Sequence, residues 1–144
     1  MKLVFIGQDD ETYGKDCKDF VLRNQLQDRV SFNGRVTEEQ KIDLFSRCFA
    51  VYNGVYDEDY GYVTPEAFLS EKPVIAHDDS GGPLEFIVHQ VNGLICKPEP
   101  NALAQSLMYL QEKPKITKKM GQAGKDSLEN KNLDWDYVID RLIC

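Results

Sequence analysis

A chain of 144 residues, 42% of them hydrophobic and 28% charged, is long enough to bury roughly 68–70% of its unfolded surface as one domain without disulfide or metal staples. Its 17 Lys and Arg against 24 Asp and Glu leave a net charge of −7, which opposes nucleic-acid binding, and no basic stripe offsets it. No apolar run approaches the roughly 20 residues of a membrane span, and the opening Met1–Ile6 meets Asp9-Asp10-Glu11 too soon for a signal peptide, so a cytoplasmic location is expected.

The first apolar run, Leu3–Ile6, reads as a strand. Tyr13, Cys17, Phe20 and Val21 then fall on one face of a helix, and Val30–Phe32 reads as a second strand. Thr37, with Gln40 three residues on, is an N-cap signal for a helix that carries Ile42 and Phe45 on its inner face. Strands follow at Phe49–Tyr52, Pro73–Ala76 and Gly93–Cys96, with a helix starting near Tyr62 between the first two. Leu103, Leu107 and Leu110 mark another helix, Pro114 suits the first turn of the next, and Trp135, Val138, Ile139 and Leu142 mark a closing one. Strand alternating with helix predicts an α/β fold: parallel strands joined by right-handed crossovers, a Rossmann-like sheet sandwiched by helices. The four cysteines, Cys17, Cys48, Cys96 and Cys144, stand too far apart for a Cys-x-x-Cys pair and are expected to be buried thiols.

In such sheets ligands gather at the carboxyl ends of the strands, which directs attention to the loops that follow them. After the third strand runs Glu58-Asp59-Tyr60-Gly61-Tyr62-Val63-Thr64-Pro65-Glu66, with two carboxylates bracketing a glycine at the start of a helix. Carboxylates only accept hydrogen bonds, so a pair of them suits a polyol. His77-Asp78-Asp79 reads as a solvated loop, because neighbours at a strand end splay to opposite faces instead of converging on a metal. Gly81-Gly82-Pro83 fits either a ligand loop or a turn into a helix, and Glu85 is expected in a first helical turn.

Taken together, Glu58-x(7)-Glu66 around Gly61, Lys72-Pro73-Val74-Ile75-Ala76, Ser80-Gly81-Gly82-Pro83-Leu84-Glu85 and Asn92-Gly93-Leu94 resemble the carboxyl-terminal, donor-binding domain of the family-four retaining glycosyltransferases of GT-B fold, glycosyl transferases group 1. Phe32-Asn33-Gly34-Arg35-Val36, Met120-Gly121-Gln122-Ala123-Gly124 and Trp135-Asp136-Tyr137-Val138 extend the resemblance over nearly the whole chain. It implies a nucleotide-sugar-binding domain, residues 1–144, that forms part of a larger two-domain enzyme of polysaccharide or glycan biosynthesis. It also implies transfer of a mannosyl or glucosyl unit from a donor such as UDP- or GDP-hexose, with no cofactor and no metal. Position by position, Glu58 and Glu66 would be the catalytic-site carboxylates, Glu58 on the donor sugar and Glu66 on the ribose. The backbone of Tyr60, Gly61, Tyr62 and Val63 would meet the sugar and diphosphate, and Gly34, Arg35 and Val36 the base.

Three positions depart from the family pattern: Asp59 where a second Gly is common, Glu71 where Gly precedes the Lys-Pro-Val strand, and Asn53-Gly54 where Pro-Ser is usual. Against the family pattern the chain is expected to lack the first strand-helix unit with the basic pair that grips the diphosphate, and the amino-terminal acceptor domain is expected as a missing partner. The full-length enzyme is expected at the inner face of the membrane. Other readings are weighed against this one. Asp57-Glu58-Asp59 spells the Asp-x-Asp of metal-dependent transferases. Asp9-Asp10, Asp57, Ser80 and Lys97 mimic the acidic pocket of a phosphoacceptor receiver domain. A catalytically inactive nucleotide-binding or scaffold domain is the third.

Overall fold

The computed structural model of the chain describes residues 1–8 and 12–130. They form β1 (Leu3–Phe5), α1 (Tyr13–Arg23), β2 (Val30–Phe32), α2 (Glu38–Arg47), β3 (Val51–Asn53), α3 (Val63–Leu69), β4 (Val74–His77), a 3₁₀ turn at Gly82–Glu85, β5 (Gly93–Cys96), α4 (Pro100–Glu112) and α5 (Pro114–Glu129). All strand pairing within the sheets is parallel, so β1–β2, β3–β4 and β4–β5 are each joined by a crossover. The strands pair in two sheets, β1 with β2 and β3-β4-β5, and the chain divides into two compact units, Met1–Asp43 and a second beginning at Leu44.

In the first unit β1 and β2 pair Leu3 with Val30 and Phe5 with Phe32, whose rings stack at 5.0 Å. Two strands are too narrow to cover a helix face and both sides of the sheet. Leu3, Val4 and Phe5 all stay exposed, and of the predicted α1 face only Val21 is buried. Cys17 is half-buried, while Tyr13 and Phe20 lie in solvent, contrary to the periodicity. The predicted N-cap forms as a reciprocal box: the Gln40 amide donates to Thr37 Oγ1 at 3.2 Å and the Thr37 amide to Gln40 Oε1 at 2.9 Å. Of the two residues expected inside on α2, Phe45 is buried and Ile42 is exposed.

The second unit is organised around β4. Val74, Ile75 and Ala76 are fully buried, as expected of a central parallel strand covered on both faces. Each fully buried aliphatic side chain contributes about 1.5–3 kcal/mol. Ile75 packs with Leu94, Leu110 and Met120, and the predicted Leu103 and Leu107 flank that cluster. Strand β4 starts one residue later than its apolar run because Pro73 has no N–H to donate, although its carbonyl accepts from Val51 at 3.0 Å. Asn92 is buried with its bonds made: its Oδ1 accepts from the Val88 amide at 2.7 Å and its Nδ2 donates to the Phe86 carbonyl at 3.0 Å, which sets the turn into β5.

Helix α5 carries the Met120–Gly124 motif, and its glycines are packing positions. A Cβ on Gly124 would enter the Phe68 ring of α3, and one on Gly121 would run into the carbonyl of Glu71 just beyond α3. Thus α5 fixes α3 from behind. The Trp135 helix lies outside the described residues, as does Cys144. Cys17, Cys48 and Cys96 are free and half-buried, where full burial was expected. Burial pushes the thiol pKa of Cys48 and of Cys96 upward.

Candidate functional site

The loops after β3 and β4 are joined by backbone hydrogen bonds. Asp57 donates to the Asp79 carbonyl at 2.9 Å and Glu58 to the Ser80 carbonyl at 3.1 Å, and Gly82 returns a bond to the Glu58 carbonyl at 2.6 Å. The strand-like pairing of Glu58 with Gly81 thus extends the sheet past its last residues. This explains the glycines. Gly81 sits at φ +72°, in the left-handed region, and a Cβ there would lie 2.7 Å from the Glu58 carbonyl oxygen. A Cβ on Gly82 would strike the Asp59 carbonyl, so Asp59, a departure from the family pattern, packs by its backbone. Gly61, at φ +71°, has its α-carbon against the Pro83 ring. The Gly81-Gly82-Pro83 segment is therefore a loop clasp that turns into a 3₁₀ turn ending at Glu85.

The clasp holds Glu58 half-buried with Oε2 inside and without a hydrogen-bond partner. Glu66 is half-buried on α3, one turn past Tyr62, whose carbonyl accepts from the Glu66 amide at 3.1 Å. Buried Thr64 ties the start of α3 to the end of β3 through Asn53 Nδ2 at 3.4 Å. Between the two carboxylates, the Tyr60 ring packs on Tyr62 at 4.7 Å and edge-on to Phe86 at 5.9 Å, and Tyr62 is 69% exposed. Tyr60, Gly61, Tyr62 and Val63 thus all lie in the turn that separates Glu58 from Glu66.

The His77-Asp78-Asp79 side chains splay to separate surroundings as expected, with Asp78 in solvent, although His77 and Asp79 are half-buried. His77 Nε2 meets the Tyr52 hydroxyl at 3.0 Å, Asp78 pairs with Lys97 at 2.5 Å, and Asp79 buries an Oδ1 that has no partner. The Asp78 carboxylate raises the Lys97 pKa, by its hydrogen bond first and its charge second. His89 is engaged elsewhere, its Nδ1 accepting from the Ile95 amide at 2.9 Å. Among the described residues no three His, Cys, Asp or Glu side chains are grouped to hold a metal ion.

In the first unit, Gly34, at φ +63°, accepts from the Gly7 amide at 2.9 Å, and the Arg35 guanidinium donates to Gln8 Oε1. These loops edge a hollow of about 300 Å³ at the carboxyl ends of β1 and β2, lined also by Phe32, Tyr13 and Cys17. Val36 is half-buried beside them in sequence. Gly7 and Gln8 belong to the strand-end loop 7–11, one of those where a ligand is expected from the sequence. Sequence reasoning missed the buried carboxylate of Asp79, which depends on contacts between distant loops.

A parallel α/β sheet with an acidic, glycine-clasped loop cluster at its carboxyl edge defines the class, and the comparisons give the family. The family model described as Glycosyl transferases group 1 matches residues 1–127, and the chain belongs to that family. It is 36% identical over 128 residues to the alpha-1,3/1,6-mannosyltransferase ALG2 of Mus musculus, covering 89% of this chain and 30% of that protein. Anabaena HepE, solved with UDP-glucose, superposes with a TM-score of 0.84 at 25% identity over 99% of this chain and 39% of its own. The carboxyl-terminal domain of the group 1 protein LpcC from Francisella tularensis shares the fold, with a TM-score of 0.75 at 21% identity over 90% of this chain and 85% of that domain. The expected α/β fold of a GT-B carboxyl-terminal half therefore holds. The receiver reading does not: Asp57 stands four residues beyond the end of β3, with its backbone bonded into the clasp. No helix among the described residues is long and apolar enough to cross a membrane.

Proposed function

We propose that this chain holds the nucleotide-sugar donor of a retaining, metal-independent hexosyltransferase, most closely a mannosyltransferase. The observation that carries the reading is the Glu58 carboxylate, clasped between two loops with a buried oxygen that lacks a donor. Such an acceptor is unfavourable unless something donates to it, and a sugar hydroxyl is a donor of the right kind. Glu66, one turn into α3, takes the ribose hydroxyls, and the backbone of Tyr60–Val63 takes the diphosphate. Support comes from the mannosyltransferase name of the ALG2 relative and from the UDP-glucose bound by HepE.

In this mechanism Glu58 and Glu66 position the donor and do not attack it. The departing diphosphate is stabilised by backbone amides and by cations brought by the rest of the enzyme. The chain spans about three tenths of the mouse ALG2 protein, so an acceptor-binding half from outside it completes the enzyme. The same reading puts the whole enzyme at the cytoplasmic face of a membrane, where a lipid-carried acceptor would be met.

The test is made in the full-length parent. Losing a charge-assisted hydrogen bond costs about 1.5–3 kcal/mol, or about 10- to 150-fold in affinity. Glu66→Ala should weaken both the nucleoside diphosphate and the nucleotide-sugar by that factor, whereas Glu58→Ala should weaken only the sugar-bearing ligand. Equal losses of plain diphosphate in both variants would overturn the assignment. Uniformly weak binding of every nucleotide would favour the inactive scaffold.

A further inference from the structure

A cavity of about 560 Å³ lies at the opposite ends of β3 and β4 from the acidic clasp, within the second unit. Its wall is formed by Cys48 and Phe49, which precede β3, by Lys72 and Pro73, which precede β4, and by Leu110 and Lys118 from the α4–α5 hairpin. Strands rise about 3.3 Å per residue, so the four residues of β4 put roughly 13 Å of sheet between this cavity and the candidate donor loops. The volume falls within the range of about 300–1,000 Å³ typical of small-molecule sites.

The lining combines an apolar floor with a cationic rim. Half-buried Phe49 supplies the floor above the buried Pro73 and Leu110, and the Cys48 thiol, half-buried, donates to the Phe45 carbonyl at 3.3 Å. At the rim the Lys72 ammonium donates to the Ser46 carbonyl at 2.9 Å, a bond that uses one of its three donors. Glu71 is the one carboxylate among the lining residues, paired with Lys125 at 2.9 Å and drawn also by the charges of Lys118 and Lys72, so the two lining ammonium groups leave the wall with one positive charge in excess. The rim is also preformed. The Glu71 carbonyl lies against Gly121 with no room for a Cβ, which pins the turn carrying Lys72 to α5.

We propose that this cavity is a second ligand site, for a small molecule with an apolar body and one anionic group, such as a medium-chain carboxylate. The body fills the floor between Phe49, Pro73 and Leu110, and the anion meets the ammonium groups of Lys72 and Lys118. Nothing in this reading depends on the donor assignment. The two sites share a sheet but no lining residue.

Amide chemical shifts of the isotopically labelled 144-residue chain test it, with octanoate as the probe. Octanol supplies the body without the charge, and inorganic phosphate the charge without the body. Octanoate should shift the amides of Cys48, Phe49, Lys72 and Leu110 saturably, leave Glu58–Glu66 unmoved and bind equally well with UDP or GDP present. Octanol and phosphate should each bind more weakly. Lys118→Glu, at an exposed helix position where the spectrum itself reports folding, should weaken octanoate by about tenfold or more, and Lys118→Arg should restore it. The proposal is overturned if octanoate shifts are absent or centre on other residues, if octanol binds as well as octanoate, or if Lys118→Glu binds like the parent.

Discussion

The amide of Glu58 donates to the carbonyl of Ser80 at 3.1 Å, so a residue of the loop after β3 is held by backbone alone to the loop after β4. Where Glu58 sits is therefore decided by a segment more than twenty residues away, and the glycines of that segment are what allow the approach.

Gly82→Ala should open this clasp, because its Cβ would enter the Asp59 carbonyl. Overpacking of this kind costs about 1–3 kcal/mol. The expected outcome is a stability loss of that size in urea unfolding together with weakened nucleotide-sugar binding by calorimetry. Binding that survives while stability falls would detach the clasp from the site.

Chelation should leave nucleotide affinity unchanged, since the groups assigned to the ligand are backbone amides and hydroxyl acceptors. Calorimetric titration of UDP and GDP with and without EDTA checks this. An affinity that drops on chelation would instead promote the Asp57-Glu58-Asp59 reading.

Gly124→Ala should drive a methyl into the Phe68 ring and destabilise the chain by about 1–3 kcal/mol. Because the clash is with one side chain, Phe68→Leu in the same molecule should recover part of the loss. The double-mutant cycle should show coupling of about 0.5 kcal/mol or more, and strict additivity would refute direct packing.

Glu71 adopts φ +57°, a left-handed conformation that costs a non-glycine residue about 1–2 kcal/mol. Glu71→Gly should raise the thermal midpoint despite losing the Lys125 pair, which is exposed and weak. An unchanged or lowered midpoint would show that the turn is not strained.

The same pair makes a prediction about pH. The Lys125 hydrogen bond, and then its charge, hold the Glu71 carboxyl below its ordinary range. A depressed carboxylate stabilises the fold above its unfolded pKa and loses that contribution as pH falls through the folded value. Lys125→Met should move the Glu71 titration upward in a carbon-detected NMR series. A curve that does not move would assign the depression to Lys118 and Lys72.

Local signals were read well from the sequence. The Thr37–Gln40 cap is complete within four residues, and Pro114 opens α5 where its missing N–H does no harm. Glu58, Gly61 and Glu66 were legible as a spaced motif. What escaped was set by distant contacts. The bond from Glu58 to Ser80, the approach of Gly121 to Glu71 and the burial of Asp79 depend on segments brought together only by the fold. Helix α1 shows the opposite error, since Tyr13 and Phe20 keep a helical period while the narrow sheet beside them leaves them in water.

That narrow sheet has a kinetic consequence. Successive strand residues face opposite sides, and Leu3, Val4 and Phe5 each keep more than a third of their surface in solvent, so both sides of β1 are only partly covered. Little apolar area resists its separation from β2, and opening needs only the loss of a few backbone bonds and the Phe5–Phe32 stack. Amides of Leu3–Phe5 and Val30–Phe32 should therefore exchange with solvent deuterium well before those of Val74–Ala76, so that this pair breathes while the central strand stays closed.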